Sequence, residues 1–217
     1  MAVFFADPCK FERKCLSLQQ IQFNNHQHPT MNKENYPSHI AEQLSAASEM
    51  LKAGDTAKAI SCYEVALQNM EMELDEYDSS LARVYDELSA LYEEKEDFTN
   101  ALKYLEKLSG CIQDSEGEYS DEASLVFIHM AELYNMTGDN VSAELNYKKA
   151  LRNYTNAKGS KNENLPQVYF ELGSICDERG EKNKAKEYFQ KAYADCVEID
   201  GEDNEITQFI KERLDQC

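Results

Sequence analysis

The sequence predicts an all-α fold, an α-solenoid of about four helix-turn-helix repeats with a C-terminal capping helix. Three observations carry that expectation. The stretches GDTAKAISCYEVAL from residue 54, EDFTNALKYLEKLS from 96, GDNVSAELNYKKAL from 138 and GEKNKAKEYFQKAY from 180 share one grammar at a constant 42-residue spacing, and a fixed period of that size marks a repeat architecture. Only four prolines and eight glycines occur in 217 residues, too few for the dense turns of an all-β chain, while the helix formers Ala, Leu, Glu and Lys dominate the middle. Within each copy the apolar residues recur at steps of three and four, which places them on one helix face. A repeat array grows by stacking, so the expected unit is one elongated body.

Residues 1–36 lack the repeat grammar and are rich in Asn, Gln and His; the expectation there is a polar, largely disordered segment. Inside it FERKCLSLQQIQF sets Phe11, Cys15 and Leu18 at helical spacing, a candidate short helix over the open face of the first repeat. The array is expected over 37–198. Its first helices align as EQLSAASEMLKA, VYDELSALYEEK, VFIHMAELYNMT and VYFELGSICDER, with columns Gln43, Tyr85, Phe127, Tyr169; Ala46, Leu88, Met130, Leu172; Ala47, Ser89, Ala131, Gly173; and Met50, Tyr92, Tyr134, Cys176. Each first helix must then stop and reverse, and Gly54, Gly138 and Gly180 stand where a left-handed residue is expected. Glu96 fills that place in the second copy, at some conformational cost. The second helices carry a small, large, small rule: Ala59, Ala101, Ala143, Ala185; Tyr63, Leu105, Tyr147, Phe189; Ala66, Leu108, Ala150, Ala192. Small residues let a partner helix approach while the large one fills the gap. Residues 199–217 end in a helix with Ile206, Phe209, Ile210 and Leu214 on one side, an element that would cover the last apolar face of the stack.

The order aromatic, Leu, small, Tyr, then Gly-Asp, Ala, aromatic, Ala resembles the tetratricopeptide repeat over roughly residues 37 to 198. Two departures stand out: no Trp occupies the first column, and the period exceeds the family's usual length of about 34 residues. The longer period, with the lead-ins NYPSHI, DSSLA, YSDEA and ENLPQV, is similar to the kinesin light chain class of these repeats. That class carries an Asn in each first helix that bonds the backbone of cargo peptides. The matching positions here are Ser45, Glu87, His129 and Glu171, so motor-cargo recognition does not carry over.

Composition narrows the function. The chain has 41 acidic and 22 basic residues, a net charge of −19, and such a surface repels phosphate backbones and anionic lipid. Nucleic acid and membrane are therefore not expected partners. The seven cysteines, Cys9, Cys15, Cys62, Cys111, Cys176, Cys196 and Cys217, form no tight pairs and several lie at apolar helical positions, which points to a reducing, cytoplasmic setting. The apolar run before Asp7 is too short for a signal-peptide core. Cys9, Cys15, His26 and His28 have the chemistry of a zinc set but not its close ligand pairs, and no metal or other cofactor is expected. No nucleophile with an orienting base and no phosphate loop stands out, so the chain is not read as an enzyme. Lys33, Glu34 and Asn35, just before Pro37, resemble a KEN-type degradation signal, against the alternative of a plain polar linker.

The resemblance implies a concave side lined by first helices. The partner-binding positions it implies are Leu44, Arg83, Asp86, Glu93, Leu125, Ile128, Glu132, Asn135, Phe170 and Asp177, with Ser48, Ala90, Gln167 and Ser174 beside them. Chaperone-binding members of the family clamp a C-terminal carboxylate with Lys, Asn and Arg, and the sign here is the opposite. The resulting expectation is an intracellular scaffold or adaptor whose groove holds a segment of another protein bearing apolar anchors and basic residues. The alternative is a structural or self-associating subunit that uses the convex face.

Overall fold

The computed structural model describes residues 36–75, 78–117, 119–156 and 162–217. Among these, the helices in chain order are α1 (Ser38–Lys52), α2 (Thr56–Glu73), α3 (Ser79–Glu94), α4 (Phe98–Glu116), α5 (Asp121–Met136), α6 (Asn140–Asn156), α7 (Leu165–Glu178), α8 (Lys182–Asp200) and α9 (Glu205–Asp215). The closest pairs are α1 with α2, α3 with α4, α5 with α6 and α7 with α8; α2–α3, α4–α5, α6–α7 and α8–α9 join them into an all-α solenoid.

One turn, used four times, makes the hairpins. After α1 the Gly54 amide donates to the Leu51 carbonyl at 2.9 Å and the Asp55 amide to the Met50 carbonyl at 2.9 Å, the six-to-one closure of a helix that ends in a left-handed residue. The same pair of bonds follows α3, α5 and α7. Gly54, Gly138 and Gly180 have φ of 75°, 80° and 76°, and Glu96 is forced to 58° in the same place. The next residue starts the second helix: the side chains of Asp55, Asp97 and Asp139 accept from the Lys58, Asn100 and Ser142 amides, whereas Glu181 makes no such cap on α8.

The second-helix columns are the core. Ala59, Ala101, Ala143 and Ala185 are fully buried, as are Leu105, Tyr147 and Phe189 from the large column and Ala66, Leu108, Ala150 and Ala192 from the next. Opposite them, a Cβ on Gly173 would stand 2.8 Å from Phe189 Cε1. The first-column aromatics are covered from outside by lysines of the second helices: Lys107, Lys149 and Lys191 lie 5.4, 5.1 and 5.4 Å from the ring centres of Tyr85, Phe127 and Tyr169, a favourable cation–ring geometry.

A further stripe holds repeat to repeat. Leu81, Val84, Leu88 and Leu91 of α3 are buried, as are Ala123, Val126, Met130 and Leu133 of α5 and Leu165, Val168, Leu172 and Ile175 of α7. At the same places α1 has His39, Glu42, Ala46 and Glu49, with the His and both Glu exposed. That outer face is polar, so it offers little apolar surface for the candidate helix at 11–23, which itself lies outside the described residues. Helix α9 keeps the 42-residue register, with Thr207 and Ile210 fully buried and Leu214 and Cys217 half-buried on the stripe. It occupies the place of a fifth first helix. Lys211 and Asp215, where a first helix would meet its own second helix, are exposed.

Candidate protein-binding face

Charge divides between the two kinds of helix. The first helices α1, α3, α5 and α7 contain twelve carboxylates against two cations, Lys52 and Arg83, whereas α2, α4, α6 and α8 contain eleven against ten. The net acidity of the helices is thus carried by the first helices, with Glu42 and Glu49 of α1 at the open end of the stack. Solubility alone does not require such a division, because it depends on net charge and not on where the charge lies.

Polar ties run along this side from one first helix to the next. The Glu93 carboxylate of α3 lies 2.7 Å from His129 Nε2 of α5. Gln167 Nε2 of α7 donates to Glu132 of α5 at 2.8 Å. Asp177 of α7 accepts from Arg213 of α9 at 3.2 Å, and from Lys182 at 2.5 Å.

Half-buried carboxylates fill the intervals. Burial, with the neighbouring Glu87 charge, pushes Asp86 up to about 6 against the pull of His129. Burial, with Glu132 and Glu178, pushes Glu171 up to about 7. Burial alone would lower His129, but the Glu93 hydrogen bond and the charges of Glu93, Glu132 and Asp86 outweigh it and hold the imidazole above its ordinary value. Desolvation and like charges disfavour ionised carboxylates, and the same charges favour an imidazolium.

The implied site residues divide accordingly. Asp86, Glu93 and Glu132 belong to the acidic face, and Arg83 is exposed with its charge near Tyr36 and Tyr63. Leu44 and Leu125 are half-buried against the core, and Asn135 donates to the Tyr147 hydroxyl at 3.4 Å. Two expectations are corrected. Ile128 is 6% exposed and Phe170 5%, so neither offers an anchor to a partner. Phe170 packs between Phe189 and Phe209, with ring centres 5.5 and 5.6 Å away, because α9 closes over it; truncating it would open a cavity in the core rather than thin a binding surface. Asp177 is engaged by two cations of the chain itself. Glu171 was not among the implied site residues, although the column Ser45, Glu87, His129 and Glu171 points to it. Lys33, Glu34 and Asn35, with Cys9, Cys15, His26 and His28, lie outside the described residues. Among the described residues no helix is long and apolar enough to cross a membrane.

Tetratricopeptide repeat family models match residues 121–196 and 82–110. No curated protein matches the chain in sequence. Among solved structures the fold is similar to BtubC (BKLC) from P. vanneervenii, with TM-score 0.62 and 20% identity over 81% of this chain and 68% of that one. It is equally similar to the nearly identical TPR-like repeats of a putative kinesin light chain from Podosopora anserina, with TM-score 0.62 and 15% identity over 83% and 86% of the two chains. A third likeness is to pilF of Pseudomonas aeruginosa, with TM-score 0.53 and 20% identity over 84% and 70%. Residues 82–110 and 121–196 are thus matched as tetratricopeptide repeats. In fold the chain stands with the longer-period, kinesin-light-chain-like repeats.

Proposed function

We propose that the chain is a cytoplasmic adaptor that holds a lysine- and arginine-bearing segment of a partner protein along its first-helix side, the concave side in the family geometry. The observation that carries this reading is the division of charge, twelve carboxylates against two cations on the first helices and near balance on the second. In this reading residues 37–198 form the binding array and 199–217 close it. With Ile128 and Phe170 taken into the core, selectivity falls to Asp86, Glu93, Glu132 and Glu171, and Leu44 and Leu125 add apolar contact at the edges. Asp86, Glu93 and Glu132 attract cationic segments, speed association and reject acidic competitors, Glu171 joins them when a partner's cation draws off its proton, and the attraction fades with salt. The free cysteines among the described residues, from Cys62 to Cys217, support a reducing compartment.

The test is affinity capture with three forms of the chain. One is wild type, one carries Asp86→Asn with Glu171→Gln, and one carries Lys148→Ala with Lys184→Ala on the second helices. Proteins retained by the second-helix form, lost by the first-helix form and released by raised salt are the expected result; the reverse pattern sinks the proposal. That reverse pattern would favour a second reading, in which the outer face makes the contact. Val141 and Leu145 of α6 are 74% and 56% exposed, where the other repeats have Ala57 and Ser61, Thr99 and Lys103, and Asn183 and Glu187. A concentration series in analytical ultracentrifugation tests self-association through that patch, and a monomer at all micromolar concentrations counts against it.

A further inference from the structure

Ties connect α3 to α5, α5 to α7 and α7 to α9, and they differ in one property. Asp177–Arg213 joins α7 to α9 with a permanent cation, and Glu132–Gln167 joins α5 to α7 with a neutral amide. Glu93–His129 joins α3 to α5 with a group whose charge changes near neutrality. The joint is partly shielded, with 20% of the His129 side chain and 34% of Glu93 exposed, so solvent screens it less than a free surface pair. The charged groups that face His129 are Glu93 and Asp86 from α3 and Glu132 from its own helix, all of one sign.

We propose that His129 is a proton-operated tie between the second and third repeats: with its proton it clamps α5 to α3 through Glu93, and without it the joint loosens and the first-helix side gains a full unit of negative charge. The proton leaves to solvent, and no other group need move. A neutral imidazole can still bond a carboxylate through an N–H, but the charge-assisted bond is the stronger one. The sign follows from the surroundings. His129 is held above its ordinary 6.5, so its contribution is complete below that value and is lost as pH rises through the folded-state value. The inference concerns the protein alone and stands whether or not a partner occupies this side.

Two measurements on the full chain test it. In an imidazole NMR titration the His129 resonance, assigned by its loss in His129→Gln, should titrate above 6.5 in wild type and at a lower pH in Glu93→Gln. A wild-type value at or below 6.5 overturns the proposal. In hydrogen exchange at pH 6 and pH 8, with times scaled to the intrinsic rate, wild-type α3 and α5 amides should lose protection at the higher pH by roughly two- to fivefold more than those of His129→Gln, the range expected for a partly exposed pair. Glu171 titrates in both forms, and because Asp86 feels the charge of His129, both forms also carry Asp86→Asn, so that the difference between them isolates His129. Equal pH dependence in wild type and His129→Gln also overturns it, and Glu93→Gln, which keeps the shape of the joint, gives the same comparison if the histidine variant folds poorly.

Discussion

Replacing Gly173 with Ala puts the small-residue column to a quantitative test. The added Cβ would lie 2.8, 2.9 and 3.2 Å from Cε1, Cδ1 and Cζ of Phe189, whereas carbon atoms rest at about 3.5–4.0 Å. Ring or helix must therefore yield by roughly 0.7 Å. The ring has little room to do so, because Phe189 is fully buried, Phe170 packs on it and the Arg213 guanidinium stands 5.8 Å from its centre. Overpacking of this kind costs about 1–3 kcal/mol, and the better helix propensity of Ala returns about 1 kcal/mol. The single variant should lose up to about 2 kcal/mol. The sharper test is its sign in a second background. Phe189→Leu makes room, and the second repeat already combines Ser89 with Leu105 in these two columns. In that background Gly173→Ala should become stabilising, so a double-mutant cycle read from urea midpoints should show a coupling of at least about 1 kcal/mol. If the substitution stabilises both backgrounds equally, the column is not a close contact and the packing argument is wrong.

Two other outcomes follow from single residues. Glu96→Gly should stabilise the chain by a few tenths to about 1 kcal/mol, since the left-handed cost of about 1–2 kcal/mol is removed and only part is returned as glycine entropy; a lower urea midpoint would contradict the strain inferred from φ 58°. Stability should also fall as pH rises from about 5 to 8. Asp86, Glu171 and His129 all have folded-state values raised above their ordinary ones, so each contribution is complete below the ordinary value and lost as pH climbs through the raised one. For the two carboxylates that window runs from 3.8 or 4.5 up to about 6 and about 7, and for His129 it begins at 6.5. Asp86→Asn with Glu171→Gln should flatten the slope, and a midpoint that rises over this range in wild type would show that these groups are not shielded as described.

The fold was legible because its rules act within one copy and repeat at the period. A turn residue such as Glu96, or a column such as Ala59, Ala101, Ala143 and Ala185, shows itself as soon as the copies are aligned. Ile128 and Phe170 were read as groove positions because register alone assigns a side to a residue and cannot say how closely the neighbouring helices approach; Phe209 closing over Phe170 decides that. The ties of the acidic face were hidden for a different reason. Glu93 and His129 are 36 residues apart, Glu132 and Gln167 are 35, and Asp177 and Arg213 are 36, all short of the 42-residue repeat by six or seven. An alignment at the period sets each of these residues beside its own equivalents and never beside its partner. At 1.5 Å per residue the shortfall corresponds to a slant of about 9–10.5 Å between successive first helices. Each of these residues therefore meets a position nearly two turns earlier in the register of the next first helix, and the face belongs to the joints between repeats rather than to any repeat. A substitution in one copy then changes the chemistry of two, so Glu93→Gln should alter the titration of a histidine in the following repeat while leaving the equivalent positions of its own column untouched.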